Sequence, residues 1–199
     1  KRHCDVPVNC ILARTNRMTI DGYLLGTCVL SLLSRPEGDP LLARVIARLN
    51  ALREAIPLYM SSISWGEIEY GWRSGAPDRL RDADRALLTQ FVPLLVTRRT
   101  GEAYAEIKAA LFERYAPKAE RGKKARVEQL VEPLSGHALG VQENDIWIAA
   151  QASERNLVLA TGDRMRRIKT VVESIPSLRF EDWTQPWAPS TAIPSEPAR

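Results

Sequence analysis

Cysteine, aromatic residues and long apolar runs are all sparse in this 199-residue chain. Its three cysteines, Cys4, Cys10 and Cys28, cannot close a disulfide framework, which points to a reduced, cytoplasmic setting. Cys4 and Cys10 with His3 do not have the spacing of a zinc site. The longest apolar stretches, Ile146–Ala150 and Leu157–Ala160, are far too short to span a bilayer, so no membrane partner is expected. Lys1–Arg17 lacks the apolar run of a signal peptide. With 11 glycines and 13 prolines, the chain is neither collagen-like nor low in complexity.

What is present is ordinary for a folded domain. Apolar residues make up 45% and charged residues 26%, enough for one core and one compact domain. The net charge of +4 permits an anionic partner without requiring one. Residues 1–19 show no period and read as an extension ahead of the domain. From Thr184 onward, Pro186, Pro189, Pro194 and Pro197 mark a disordered tail covering 184–199. The expected domain is therefore 20–183.

Within it, short apolar runs alternate with helical spacing. Tyr23–Leu25, Pro57–Met60, Val92–Val96, Leu157–Ala160 and Leu178–Phe180 read as strands. Helical segments are expected over Val29–Leu33, Leu41–Leu52, Glu67–Trp72, Asp78–Phe91, Glu102–Tyr115, Lys123–Val131 and from Glu143 or Asn144 onward. This alternation predicts an α/β sandwich with a short, mostly parallel central sheet and added helices.

Open parallel sheets build their sites at the carboxyl ends of the strands. Glu67 follows the second strand, Asp145 starts a helix, and Asp163 follows the strand at Leu157–Ala160. If these three carboxylates converge, their repulsion calls for a cation, and an all-oxygen donor set suits Mg²⁺ or Mn²⁺. Such an ion lowers the pKa of a bound water and stabilises a leaving oxygen, which is the chemistry of phosphodiester hydrolysis. Each residue has a plainer reading as well. Asp145 suits the first turn of a helix, Asp163 suits an N-cap, and Glu67 suits a solvated helix face.

The same residues carry a resemblance. Tyr23-Leu24-Leu25-Gly26-Thr27-Cys28, Ile63-Ser64-Trp65-Gly66-Glu67-Ile68-Glu69-Tyr70-Gly71, Asn144-Asp145-Ile146-Trp147-Ile148-Ala149-Ala150, Leu157-Val158-Leu159-Ala160-Thr161-Gly162-Asp163 and Leu178-Arg179-Phe180-Glu181-Asp182-Trp183 stand in the order found in PIN-domain nucleases of the VapC toxin type. The resemblance spans Ile20–Trp183. It implies a Mg²⁺-dependent endoribonuclease acting on tRNA or another structured RNA. It also implies a toxin paired with an antitoxin protein, often as a homodimer. Carried over by position, Glu67, Asp145 and Asp163 match the family's second, third and fourth acidic positions. Thr27 and Thr161 match its flanking hydroxyls.

The first acidic position is a departure, for it holds Gly26, which has no ligand atom. Asp21 cannot stand in, since five extended residues span about 17 Å. The loss implies weakened or absent catalysis. The alternatives are a silent protein that binds RNA or an antitoxin, and a PIN nuclease directed at DNA.

Two basic clusters are candidates for phosphate contacts. Arg164, Arg166, Arg167 and Lys169 follow Asp163 directly and are the preferred RNA-binding group. Arg114–Arg126 is equally well read as a solvated face, and the helical region around it as a surface for an antitoxin helix or a plain insertion. Trp65 and Trp147 are expected to pack in the core or at a dimer seam, and Trp183 and Trp187 to be partly exposed. His137 carries no assigned role.

Overall fold

The computed structural model describes residues 20–52, 54–75, 85–162 without 117–125, and 165–186 but not 163–164. Residues 1–19 and 187–199, with Cys4, Cys10 and Trp187, lie outside the described residues, as do Asp163, Arg164 and the side chain of Arg166.

The elements run in the order β1 (Tyr23–Leu25), α1 (Thr27–Leu32), α2 (Pro40–Leu52), β2 (Leu58–Ser61), α3 (Ser62–Gly75), β3 (Val92–Leu94), α4 (Arg98–Tyr115), α5 (Glu143–Glu154), β4 (Val158–Thr161), α6 (Arg166–Lys169) and β5 (Arg179–Asp182). The five strands form one sheet in the order β3-β2-β1-β4-β5. Every pairing is parallel, so each connection crosses over through helical structure. The result is an α/β/α sandwich.

Period-2 alternation divides the core between the two faces of the sheet. Leu24 and Leu159 join Ile107, Leu111, Ile146 and Ile148 on one side. Leu25, Met60 and Ala160 join Val29, Leu30, Val45 and Trp72 on the other. Strand β4 is buried throughout, as a central parallel strand must be. Its continuous apolar run is the sequence signal of that position.

Helix starts follow the local chemistry. Asp39 Oδ1 accepts the amides of Leu41 and Leu42 at 2.8 and 3.2 Å, and Pro40 takes the first helical position of α2. Thr97 and Thr100 form a capping box on α4. Gln142 and Asp145 form another on α5, with the Gln142 amide donating to Asp145 Oδ2 at 3.1 Å.

Two expectations need correction. Lys123–Val131 is not an α-helix over its described part; Val127–Gln129 is a single 3₁₀ turn. The chain then pairs back on itself, with Leu139 N donating to Leu130 O and Glu132 N to His137 O. The apolar spacing of Val127 and Leu130 fits that tight turn as well as it fits an α-helix. Trp183 is fully buried, not partly exposed, because it continues past β5 into the second core beside Tyr23. The Asp78–Phe91 helix is described only from residue 85, where 85–88 are helical. Among the described residues, no helix is long and apolar enough to cross a membrane.

Candidate active site

Strand β1 is central, so its carboxyl end lies between those of β2 and β4. A cleft of about 610 Å³ opens there. It is lined by Gly26, Thr27 and Cys28 after β1, Glu67 from α3, Asp145 from α5, and Thr161 and Gly162 at the end of β4. Glu67 is the sixth residue of α3 and Asp145 the third of α5, so helices starting at the sheet edge bring both carboxylates to the cleft. The structure thus brings together Glu67, Asp145, Thr27, Thr161 and the Gly26 backbone. Among the described residues, no group of three or more His, Cys, Asp or Glu side chains gathers as a metal cluster.

The Glu67 carboxylate is held at both oxygens. Thr27 Oγ1 donates to Oε2 at 2.6 Å, and Asn144 Nδ2 donates to Oε1 at 2.8 Å. Thr27 also reaches the buried Ser64 Oγ at 2.9 Å. Asn144 was in the recognised sequence stretch but carried no role there. No local pattern marks it: adjacent helical residues face different directions, and here Asn144 reaches Glu67 while Asp145 accepts the Gln142 amide. Asp145 accepts that amide at the start of α5, as its helix-start reading expects, and it also lines the cleft. Thr161 is buried, and its Oγ1 lies 3.3 Å from Cys28 Sγ, which accepts the Gly162 amide at 3.0 Å.

Gly26 caps α1 with no side-chain hydrogen bond, at φ −69° and ψ 156°. Any L residue adopts those angles, so the backbone does not require glycine here. Space is tighter. The Gly26 amide donates to Ala160 O at 2.8 Å, and an added Cβ would meet the same oxygen at 3.0 Å. A side chain at this position needs a shift of a few tenths of an ångström.

Apart from the Cys28 thiol and the Met165 thioether, the side-chain donors among the described residues that line the cleft are hard oxygens, chiefly those of Glu67, Asp145, Thr27 and Thr161, and their chemistry fits Mg²⁺ or Mn²⁺. Glu67 and Asp145, with Thr27 and Thr161 beside them, are the described residues that would hold such an ion.

The basic residues after Asp163 take separate places. Arg167 donates to both oxygens of Glu132, at 2.9 and 3.2 Å, and this guanidinium holds the Glu132 carboxyl below its usual range. Lys169 lies over the Phe180 ring, with 5.9 Å from Nζ to the centroid. Arg114 donates to Thr170 O at 3.0 Å. Trp147 stacks on Tyr104, with ring centroids 3.9 Å apart, and Trp65 meets Trp72 edge-on at 6.1 Å. On the far side of the α5 start, Glu143 bonds Tyr104 and Lys108, and burial pushes its carboxyl pKa up.

The PIN domain matches residues 23–171, and the chain belongs to the PIN-domain family. No curated protein matches it significantly. Among solved structures it is similar to VapBC-1 from nontypeable Haemophilus influenzae, with 20% identity and a TM-score of 0.55 over 82% of this chain and 98% of that one. It is similar to VapBC2 from Rickettsia felis bound to a promoter DNA fragment, with 18% identity and a TM-score of 0.54 over 80% and 96% of the two chains. DNA-bound VapBC from Salmonella typhimurium gives 24% identity and a TM-score of 0.52 over 81% and 98%. At these identities the likeness establishes the fold.

Proposed function

We propose that this chain is the toxin of a type II toxin–antitoxin pair, built as a divalent-metal-dependent endoribonuclease and weakened by Gly26. The substrate on this reading is tRNA or another structured RNA. The observation that carries it is the shared cleft of Glu67, Asp145, Thr27 and Thr161 at the carboxyl end of a PIN sheet. The VapBC likeness supports an antitoxin partner for this chain, and a homodimer is what the family resemblance implies.

A divalent ion held by Glu67 and Asp145 would supply charge for the phosphate and would lower the pKa of a water. The chain's own residues do the positioning. Thr27 and Asn144 fix the rotamer of Glu67, and the helix cap fixes Asp145. Asp163, which lies outside the described residues, is the remaining carboxylate of the proposal. At an effective dielectric near 20, a unit charge about 4 Å away contributes roughly 4 kcal/mol, so one missing carboxylate weakens cation binding by orders of magnitude.

Gly26 also favours a second reading, a silent PIN protein that binds RNA or an antitoxin without cutting. One experiment separates the two. Cleavage of total tRNA is followed with Mg²⁺ and with chelator, for the chain as it stands and for Gly26→Asp. The nuclease reading expects chelator-sensitive cleavage that rises at least tenfold in the variant. No cleavage by either form, with RNA still bound, favours the silent binder. Equal, robust cleavage by both removes the proposed role of Gly26.

A further inference from the structure

The cation on the wall of the acidic cleft comes from outside the segments that the sequence pattern singled out. Arg35 lies just beyond α1 and lines the cleft together with Glu67, Asp145 and Thr161. Among the described residues that line it, Arg35 is the cationic side chain. Arg167, by contrast, is engaged twice by Glu132.

Arg35 has a partner but is not consumed by it. Its Nη1 donates to Asp39 Oδ2 at 2.8 Å, while Asp39 Oδ1 is tied down by the amides of Leu41 and Leu42. The guanidinium therefore sits on an anchored carboxylate, and its side chain remains 48% exposed. A guanidinium offers five N–H donors in a planar fork that matches two phosphate oxygens. An exposed pair spaced four residues apart is weak, so it adjusts readily to a second anion. A polyanion approaching Glu67 and Asp145 meets repulsion, and a cation on the cleft wall offsets it where the strand must enter.

We propose that Arg35 is a substrate-binding residue that grips a backbone phosphate of the RNA strand beside the Glu67–Asp145 cleft. This rests on the ribonuclease reading above. Phosphate contacts set salt dependence, so the test is the slope of log affinity against log salt.

Binding of labelled total tRNA is measured by fluorescence anisotropy in Ca²⁺ over a KCl series. Arg35→Ala is expected to weaken binding about tenfold and to flatten the slope by about one unit. Arg35→Lys keeps the slope. Arg98→Ala, which removes a 93% exposed arginine with the same kind of i,i+4 partner, changes neither. Asp39→Asn weakens the same ion pair but leaves the guanidinium, and is expected to keep the slope. An unchanged slope in Arg35→Ala overturns the contact. So does an Asp39→Asn variant that reproduces Arg35→Ala, since the effect would then be structural. Failure of the unsubstituted chain to bind RNA overturns the ribonuclease reading itself, and this contact with it.

Discussion

Glu67 shows how much one side chain depends on its neighbours. Its carboxylate oxygens accept from Thr27 and Asn144, residues 40 and 77 positions away in sequence. Such supporting bonds set the orientation of a metal ligand, and losing one typically costs about 10- to 100-fold in metal affinity. Under the nuclease reading, Asn144→Ala is expected to weaken Mn²⁺ binding about tenfold, measured by calorimetry, with little change in melting temperature. The sequence brought Glu67, Asp145 and the two threonines into view, because polar residues at strand ends and helix starts have a recognisable local context. The Asn144 bond was not legible. It joins two helices, and no local pattern records which way an amide turns. Position 26 is a different case. Its backbone angles suit any residue, so the tight contact for Gly26→Asp is the Ala160 carbonyl, with Leu159 and Thr161 in ordinary contact, for a cost of about 1–3 kcal/mol of overpacking. An Asp at this helix start also caps α1, which offsets part of that cost.

At the scale of elements, strands were easier to read than the segment between α4 and α5. Tyr23–Leu25 matches its expected bounds, and the buried run of β4 stands one residue from its expected place. Long-range pairing decided the rest. The turn at Val127–Gln129 exists because the chain folds back so that Leu139 bonds Leu130. That returning segment is tied to α6 by Glu132 and Arg167. Glu132 has its carboxyl pKa lowered first by Arg167, with further help from Ser135. A lowered folded-state value means that the stabilisation is present above about 4.5 and is lost as pH falls through the folded value. Glu132→Gln is therefore expected to lower the melting temperature at neutral pH. The gap to the unsubstituted chain should close as pH drops below about 4.5, measured by circular dichroism. A gap independent of pH rejects the ion pair as its source.

For the whole molecule, closure of the second core falls to a residue just past the last strand. Trp183 is fully buried, with its ring 5.6 Å from Tyr23 and the Arg48 guanidinium 5.9 Å away. Arg48 pairs with Glu181, and Arg44 donates to Thr184 O, so α2 and the end of β5 lock together. Trp183→Ala is expected to cost about 3–5 kcal/mol, seen as a large drop in the denaturant midpoint. A change under about 1 kcal/mol rejects the role assigned to this side chain. The proline signal after Thr184 misled the reading of Trp183. A turn-rich composition describes the backbone and says nothing of which side chain fills a hollow beneath it.

The cleft draws on positions 26, 27, 67, 145 and 161, contributed by the ends of β1 and β4 and by the helices α1, α3 and α5, which meet only in the finished sheet. A ribosome making this chain must therefore deliver Thr161 before any emerging fragment can close this cleft. Products that stop earlier lack the wall of the cleft that β4 supplies, whatever carboxylates they already carry.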